Sequence, residues 1–193
     1  MSVKFYNENA ESFFDNTIEA DMSYSYNFFI KNLSEETGEI LDLGCGSGRD
    51  SKYFIELGYK VIAIDLSPVL AEKASKYIGQ EVIVIDMKNI DFKDKFIGIW
   101  ACASLLHLSY DEILEILNKI YSALKDKGIV YASFKVGSCD YEKDGRKFTC
   151  FTKERFLKLI ENSNFDLKDI FETSDVRPNR GDEKWLNVIL KKN

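Results

Sequence analysis

Apolar residues along this chain fall into short, dense runs separated by longer stretches with helical spacing. Ile40, Leu41 and Leu43 form the first run, and Lys60–Asp65, Glu81–Asp86, Lys95–Ala103 and Ile129–Phe134 supply four more. Runs this short and this rich in branched residues suit strands buried on both faces of a parallel sheet. The stretches between them read as helices: one through Asp50, Ser51, Tyr53, Phe54 and Leu57, one over Pro68–Tyr77, and one over Tyr110–Leu124. In the last of these, Ile113, Leu114, Leu117, Ile120, Tyr121 and Leu124 fall on one stripe, the mark of a helix with one buried face. Ser67 followed by Pro68 is a helix start, with a capping hydroxyl and a proline at the first helical position. Strands alternating with helices in this way predict an α/β domain.

The flanks are less regular. Met22, Tyr26, Phe29 and Leu33 have helical spacing, so a helix is expected near residues 20–33, inside a segment unusually rich in aromatics. Those aromatics either cover the sheet or form a lid over a pocket. Residues 135–150 read as polar and irregular. Thr152 then caps a helix containing Phe156, Leu157 and Ile160. Phe165–Phe171 and Trp185–Leu190 are the last two strands, joined by a polar excursion that holds Arg177, Pro178 and Arg180.

Composition narrows the class. A chain of 193 residues with 45% hydrophobic content suits one domain with a full core. No apolar run approaches the roughly 18 residues of a membrane span, and the first residues lack the apolar stretch of a signal peptide. The four cysteines, Cys45, Cys102, Cys139 and Cys150, form no C-x-x-C pair, and there is one histidine. That favours reduced thiols, a cytoplasmic location and no metal. The net charge of −6 opposes loose binding to nucleic acid. The charge is uneven: residues 135–193 carry 13 Lys+Arg against 11 Asp+Glu, leaving 13 against 21 for the rest.

The candidate chemistry centres on Glu39–Arg49, Glu-Ile-Leu-Asp-Leu-Gly-Cys-Gly-Ser-Gly-Arg. A strand runs into three alternating glycines, Gly44, Gly46 and Gly48, and then into a helix. Glycines allow a tight turn and a close approach of backbone to ligand, at the strand end where nucleotide-type ligands bind. A nicotinamide fingerprint needs a glycine three residues after Gly46; Arg49 stands there instead, which counts against a dehydrogenase. The pattern Asp42-x-Gly44-x-Gly46-x-Gly48 resembles motif I of the class I S-adenosylmethionine (SAM) methyltransferases. That resemblance covers roughly residues 35–191. It implies a Rossmann-like three-layer sandwich with a seven-stranded, mostly parallel sheet, order 3-2-1-4-5-7-6, ending in an antiparallel hairpin. Residues 1–34 would be a helical lid segment on a core of residues 35–193, the whole being one domain.

Two strand ends then gain meaning. Asp65 lies 21 residues after Gly44, near the spacing at which a carboxylate reaches ribose hydroxyls. Ser67 already serves as the helix cap, so Asp65 is not needed there. In the resembling family an acidic residue at the place of Asp86 meets the adenine amino group, with Met87 available to pack on the ring. The resemblance further implies cofactor contacts from Tyr6, Asp42, Cys45, Arg49, Leu66, Ser67, Ala101 and Cys102, with S-adenosylhomocysteine as the product. Ala101-Cys102-Ala103-Ser104 stands where base amino-methyltransferases carry Asp/Asn-Pro-Pro-aromatic, which argues against amino methylation of adenine or cytosine. His107 follows, placed where a substrate approaches, and is a candidate general base; a structural role is the plainer reading.

SAM carries its own electrophile, so the protein has chiefly to bind, orient and exclude water; no nucleophilic triad or metal is required. The expected activity is methyl transfer to a small acceptor, by a chain that needs no partner copy and works as a monomer. The Cys-Gly-Ser-Gly-Arg-Asp loop and small size resemble the tellurite-resistance branch of small-molecule methyltransferases. Arg146, Arg177 and Arg180, with Lys184, lie in connections that can reach the pocket mouth and suit an anionic acceptor; scattered surface charge is the plainer reading. A tRNA base as acceptor and a non-catalytic SAM-binding module remain the alternatives.

Overall fold

Seven strands of the chain make one sheet, and its faces are covered by different helices. The computed structural model describes residues 2–177 and 180–193; Pro178, in the polar excursion before the last strand, lies outside them. Three helices come first: α1 (Ser2–Glu8), α2 (Ala10–Thr17) and α3 (Ser23–Asn32). The core then alternates β1 (Glu39–Leu43), α4 (Arg49–Glu56), β2 (Lys60–Asp65), α5 (Pro68–Ile78), β3 (Ile83–Val84), β4 (Phe96–Ala101), α6 (Tyr110–Ala123) and β5 (Leu124–Lys135). Short strands β6 (Tyr141–Lys143) and β7 (Arg146–Phe148) precede α7 (Lys153–Ile160), β8 (Asp166–Ser174) and β9 (Lys184–Lys191).

The sheet order is β3-β2-β1-β4-β5-β9-β8. Because β6 and β7 pair only with each other, β8 and β9 are the sixth and seventh strands of the main sheet, and the order is the expected 3-2-1-4-5-7-6. Strands β1 to β5 run parallel, while β9 is antiparallel to both β5 and β8. Alternation within strands sends side chains to two cores. Leu41, Leu43, Ile99 and Val130 face a cluster with Ile113, Leu117, Ile120 and Phe156 from α6 and α7. Ile40, Val61, Trp100 and Tyr131 face a second cluster with Tyr26, Phe29, Phe54 and Ala74 from α3, α4 and α5.

The helices begin where their caps dictate. Ser67 Oγ accepts from Leu70 N, with Pro68 at the first turn. Ser109 and Glu112 form a reciprocal capping box on α6, and Thr152 Oγ1 caps α7. Two readings of the sequence need correction. The third strand is two residues long, not six, and Ile83 and Val84 are 42% and 52% exposed; this edge pairs on one side only, with Ile64 and Asp65 of β2, so nothing buries its outer side. Residues 135–150 are not irregular throughout. Tyr141–Lys143 and Arg146–Phe148 form a hairpin turned by Asp144 (φ 51) and Gly145 (φ 70), and a two-residue Asp-Gly turn with both φ positive is the strongest short hairpin signal.

Gly98 shows how tightly the second core closes. A Cβ there would lie 2.6 Å from Phe29 Cζ and 2.7 Å from Leu33 Cδ2, so β4 accepts α3 only because that position has no side chain. Gly98→Ala is expected to cost about 1–3 kcal/mol as overpacking, read as a lower denaturation midpoint with an unchanged m-value. An unchanged midpoint would show that α3 can move away from the sheet freely.

Candidate functional site

A cavity of about 1120 Å³ lies at the carboxyl ends of the first, second and fourth strands, beneath the N-terminal helices. One wall is the loop after β1. Gly44 (φ 83) brings this loop against the turn after β4, where a Cβ on it would meet Ser104 Cβ at 2.6 Å. Gly46 (φ 54) faces the lid instead, with Phe13 Cε1 3.0 Å from where its Cβ would be. Gly48 caps α4 in a left-handed conformation and packs against Ala74 and Ile78 of α5. It serves helix packing and does not line the cavity.

Asp65 ends β2 at the same wall. Its Oδ2 accepts from Gly46 N at 2.9 Å and its Oδ1 from Ser67 N at 2.8 Å. Burial raises its pKa above the ordinary carboxylate value, against the opposing pull of these N–H bonds. The carboxylate therefore ties the first two loops together, and its remaining lone pairs are available to a ligand. Leu66 and Ser67 follow in the lining, and Ser67 Oγ donates to Asn7 Oδ1 of the lid at 2.6 Å. Asp86 Oδ1 caps the turn at Met87–Asn89, and both Asp86 and Met87 line the cavity.

Asp42 departs from expectation. It sits within β1, its side chain is turned from the cavity, and Ser51 Oγ donates to its Oδ2 at 2.6 Å. Burial first, then the neighbouring Asp50 charge, push its pKa up to about 8. Asp50 itself went unnoticed in the sequence and is the best-bonded acid of the site. It accepts from Tyr26 Oη at 2.5 Å, Trp100 Nε1 at 2.8 Å, and Arg49 Nε and Nη2 at 2.6 and 3.0 Å. Burial works to raise the Asp50 pKa, but Arg49 and the other donors outweigh it and hold the group ionised. Arg49 is thus neither solvent-facing nor free. Its fork is closed on Asp50, while Nη1 donates to Thr17 O of α2 at 3.2 Å.

The turn after β4 forms the floor. Ala101 is buried in the sheet and does not line the cavity, whereas Cys45, Cys102 and Ser104 do. Burial and Asp50 push the Cys102 thiol up to about 12, so it is no thiolate at neutral pH. Ser104 Oγ is buried without a hydrogen-bond partner among the described residues, and an unpaired buried hydroxyl at a cavity wall is fitted to a polar ligand. This orphan hydroxyl, the glycine loop along the wall and the Asp65 carboxylate together fit a nucleoside-bearing cofactor.

His107 is bonded at both nitrogens. Its Nδ1 lies 2.8 Å from Lys147 O and its Nε2 lies 2.8 Å from Tyr6 Oη. A carbonyl only accepts, so Nδ1 carries the proton, and Nε2 accepts from the Tyr6 hydroxyl. Burial first, and Arg146 with it, lower the His107 pKa, keeping the ring neutral. The N-terminal aromatics divide between the two roles expected of them. Tyr26 and Phe29 of α3 are core residues, while Phe5, Tyr6 and Phe13 of α1 and α2 roof the cavity.

Arg146, Arg177 and Arg180 all line the cavity, but two are paired with neighbours on their own loop. Arg177 forks onto the buried Asp175, with Nε at 2.9 Å from Oδ1. Arg180 lies 3.7 Å from Glu183, which also takes Lys135. Arg146 is bound more loosely, by one 3.2 Å contact to Asp144. Lys184 donates to Ser174 Oγ.

Comparison with known proteins accords with this geometry. Residues 40–128 match the family model of a methyltransferase domain. The methyltransferase YodH of Bacillus subtilis (strain 168), described as uncharacterized, is 29% identical over 139 residues, 65% of this chain and 59% of that protein. The chain spans about half the length of the curated relatives it matches. Among solved structures, the 1,6-didemethyltoxoflavin-N1-methyltransferase of Burkholderia thailandensis, with its substrate and S-adenosylhomocysteine bound, superposes with a TM-score of 0.81 at 23% identity, covering 100% of this chain and 85% of that one. A TehB-like SAM-dependent methyltransferase from Corynebacterium glutamicum gives 0.74 at 24% identity over 98% of this chain and 100% of that one. At these identities the likeness to the solved structures is one of fold.

The raised pKa of Asp42 has a consequence for stability. Between about pH 4, where the unfolded carboxyl ionises, and about pH 8, the folded state holds a proton that the unfolded state has lost. Stability from this group therefore falls as pH rises through that window. Asp42→Asn is expected to flatten the fall, so that its melting temperature gains on the parent between pH 5 and pH 8. Parallel curves would show that Asp42 is ionised in the folded protein.

Proposed function

We propose that the chain is a class I SAM-dependent methyltransferase, as its match to the methyltransferase-domain model over residues 40–128 supports, and that it transfers the methyl group of SAM to a small acceptor. The observation that carries this reading is the Asp65 carboxylate, fixed by Gly46 N and Ser67 N at the wall of a glycine-lined cavity. A carboxylate held there accepts from a ribose diol and repels a phosphate-bearing ribose. Asp86 and Met87 line the same wall and are the residues we assign to the adenine, and Ser104 Oγ offers a polar contact on the floor. When bound, SAM supplies a methyl on a sulfonium, already primed for in-line displacement.

The protein's own contribution is orientation and dryness. Phe13 over Gly46 and Asn7 on Ser67 close the lid on the cofactor side. Tyr6 and His107 close it on the acceptor side. His107 Nε2 accepts from the Tyr6 hydroxyl, so a proton taken up by His107 passes through Tyr6. A cavity roofed by its own helices favours a small molecule over a macromolecule.

Calorimetry is expected to show binding of SAM and S-adenosylhomocysteine but not NAD; tight NAD binding alone would sink the reading. Asp65→Ala should weaken cofactor binding by about 1.5–3 kcal/mol, the range for hydrogen bonds to a charged group, and Asp86→Ala by less. An Asp65→Ala variant that binds like the parent would remove the ribose assignment. Radiolabelled SAM in a cell extract should label small metabolites. Label that follows tRNA and is lost to ribonuclease would replace the small acceptor with RNA.

A further inference from the structure

The acceptor half of the cavity has a composition of its own. Arg146, from the β6–β7 hairpin, lies with its guanidinium carbon 3.6 Å from the centroid of the Phe5 ring and 5.2 Å from that of Phe148. His107 lies edge-on to both Phe148, at 5.1 Å, and Tyr6, at 5.6 Å, and Tyr141 stacks on Phe148 at 4.8 Å. All six residues line the cavity. Flat rings thus surround one cation.

That cation is incompletely used. Arg146 Nε is buried and has no hydrogen-bond partner among the described residues. Its Nη2 donates only to Asp144, at 3.2 Å, on an exposed hairpin turn. Nε and Nη2 are the two donors of one edge of the guanidinium, the pair that a carboxylate engages as a fork. An orphan N–H on that edge costs stability unless a ligand satisfies it. The other arginines of the cavity are engaged elsewhere, Arg177 by Asp175 and Arg180 by Glu183. Arg146 is therefore the one arginine of the cavity with an unsatisfied buried donor among the described residues, and one fork edge matches a carboxylate monoanion. Phe5 stacks on this guanidinium.

We propose that the methyl acceptor is a flat, conjugated carboxylate whose carboxyl group docks on the Nε/Nη2 edge of Arg146 and whose ring lies among Tyr6, His107 and Phe148. This assignment rests on the methyltransferase reading for the site's purpose, though not for the binding itself. Ring-on-ring contact rewards planarity, and the guanidinium edge rewards the charge.

The test titrates the full chain, with and without saturating S-adenosylhomocysteine, using benzoate, cyclohexanecarboxylate and inorganic phosphate as probes. Benzoate is expected to bind about threefold or more tighter than cyclohexanecarboxylate, the return of an aromatic contact, and tighter than phosphate. Arg146→Gln should weaken benzoate about tenfold or more, as loss of a charged hydrogen bond predicts, while leaving S-adenosylhomocysteine affinity unchanged. Lys153→Gln, which removes an exposed charge at the start of α7 outside the cavity lining, should leave benzoate binding within about twofold, since a solvated charge is screened. Equal binding of the two carboxylates, preference for phosphate, no benzoate binding, or equal losses in the two variants would each overturn the proposal. If S-adenosylhomocysteine fails to bind while benzoate responds to Arg146, the methyltransferase reading falls and the carboxylate site stands.

Discussion

A buried charge sets the terms for this site. Removing the Asp50 carboxylate from water costs several kcal/mol unless donors replace its hydration, and the donors come from three separate elements. Tyr26 reaches it from α3, Trp100 from β4 and Arg49 from the start of α4. Each element is thereby fixed relative to the others at one point. Arg49 extends the arrangement to the lid by donating to Thr17 O. The neighbouring Asp42 cannot hold a second charge cheaply in the same dry volume, and its raised pKa follows. The glycine loop lies between these two acids in the sequence, so the residues at both its ends are held by buried bonds.

Much of this was legible from the sequence because it depends on local patterns. Short apolar runs gave the strands and their order of appearance, Ser67–Pro68 marked a helix start, and the glycine spacing located the cavity wall. Asp65, Asp86, Met87 and Tyr6 all line the cavity, as their positions suggested. What failed was long-range. Asp42, Gly48 and Ala101 belong to motifs that point to the cofactor, yet their side chains or packing face away from the cavity. Asp50 looked like one more polar residue on a helix, since nothing local shows that Tyr26 and Trp100 converge on it. The β6–β7 hairpin, by contrast, carried a plain Asp144-Gly145 signal within the sequence and was legible all along.

The arginines show why counting charges is a poor guide to binding. Three from the later loops, Arg146, Arg177 and Arg180, reach the cavity, but Asp175 and Glu183 occupy two of them. Only pairing geometry separates a structural guanidinium from an available one, and neither net charge nor spacing contains it. The sole histidine teaches the same point. Its position was apt for catalysis, yet Lys147 O and Tyr6 Oη use both of its nitrogens.

The hairpin stands outside the main sheet, joined to it by the chain on either side and by the buried Phe148. It nevertheless supplies Arg146 and the Lys147 carbonyl that sets the His107 tautomer. Residues 141–147 are exposed or half-buried, so substitutions among them reshape that wall of the cavity without creating holes in either core. Stability and cavity shape are in this way written on different lengths of chain. The wall can change here by small steps, each leaving a folded protein with the same glycine loop.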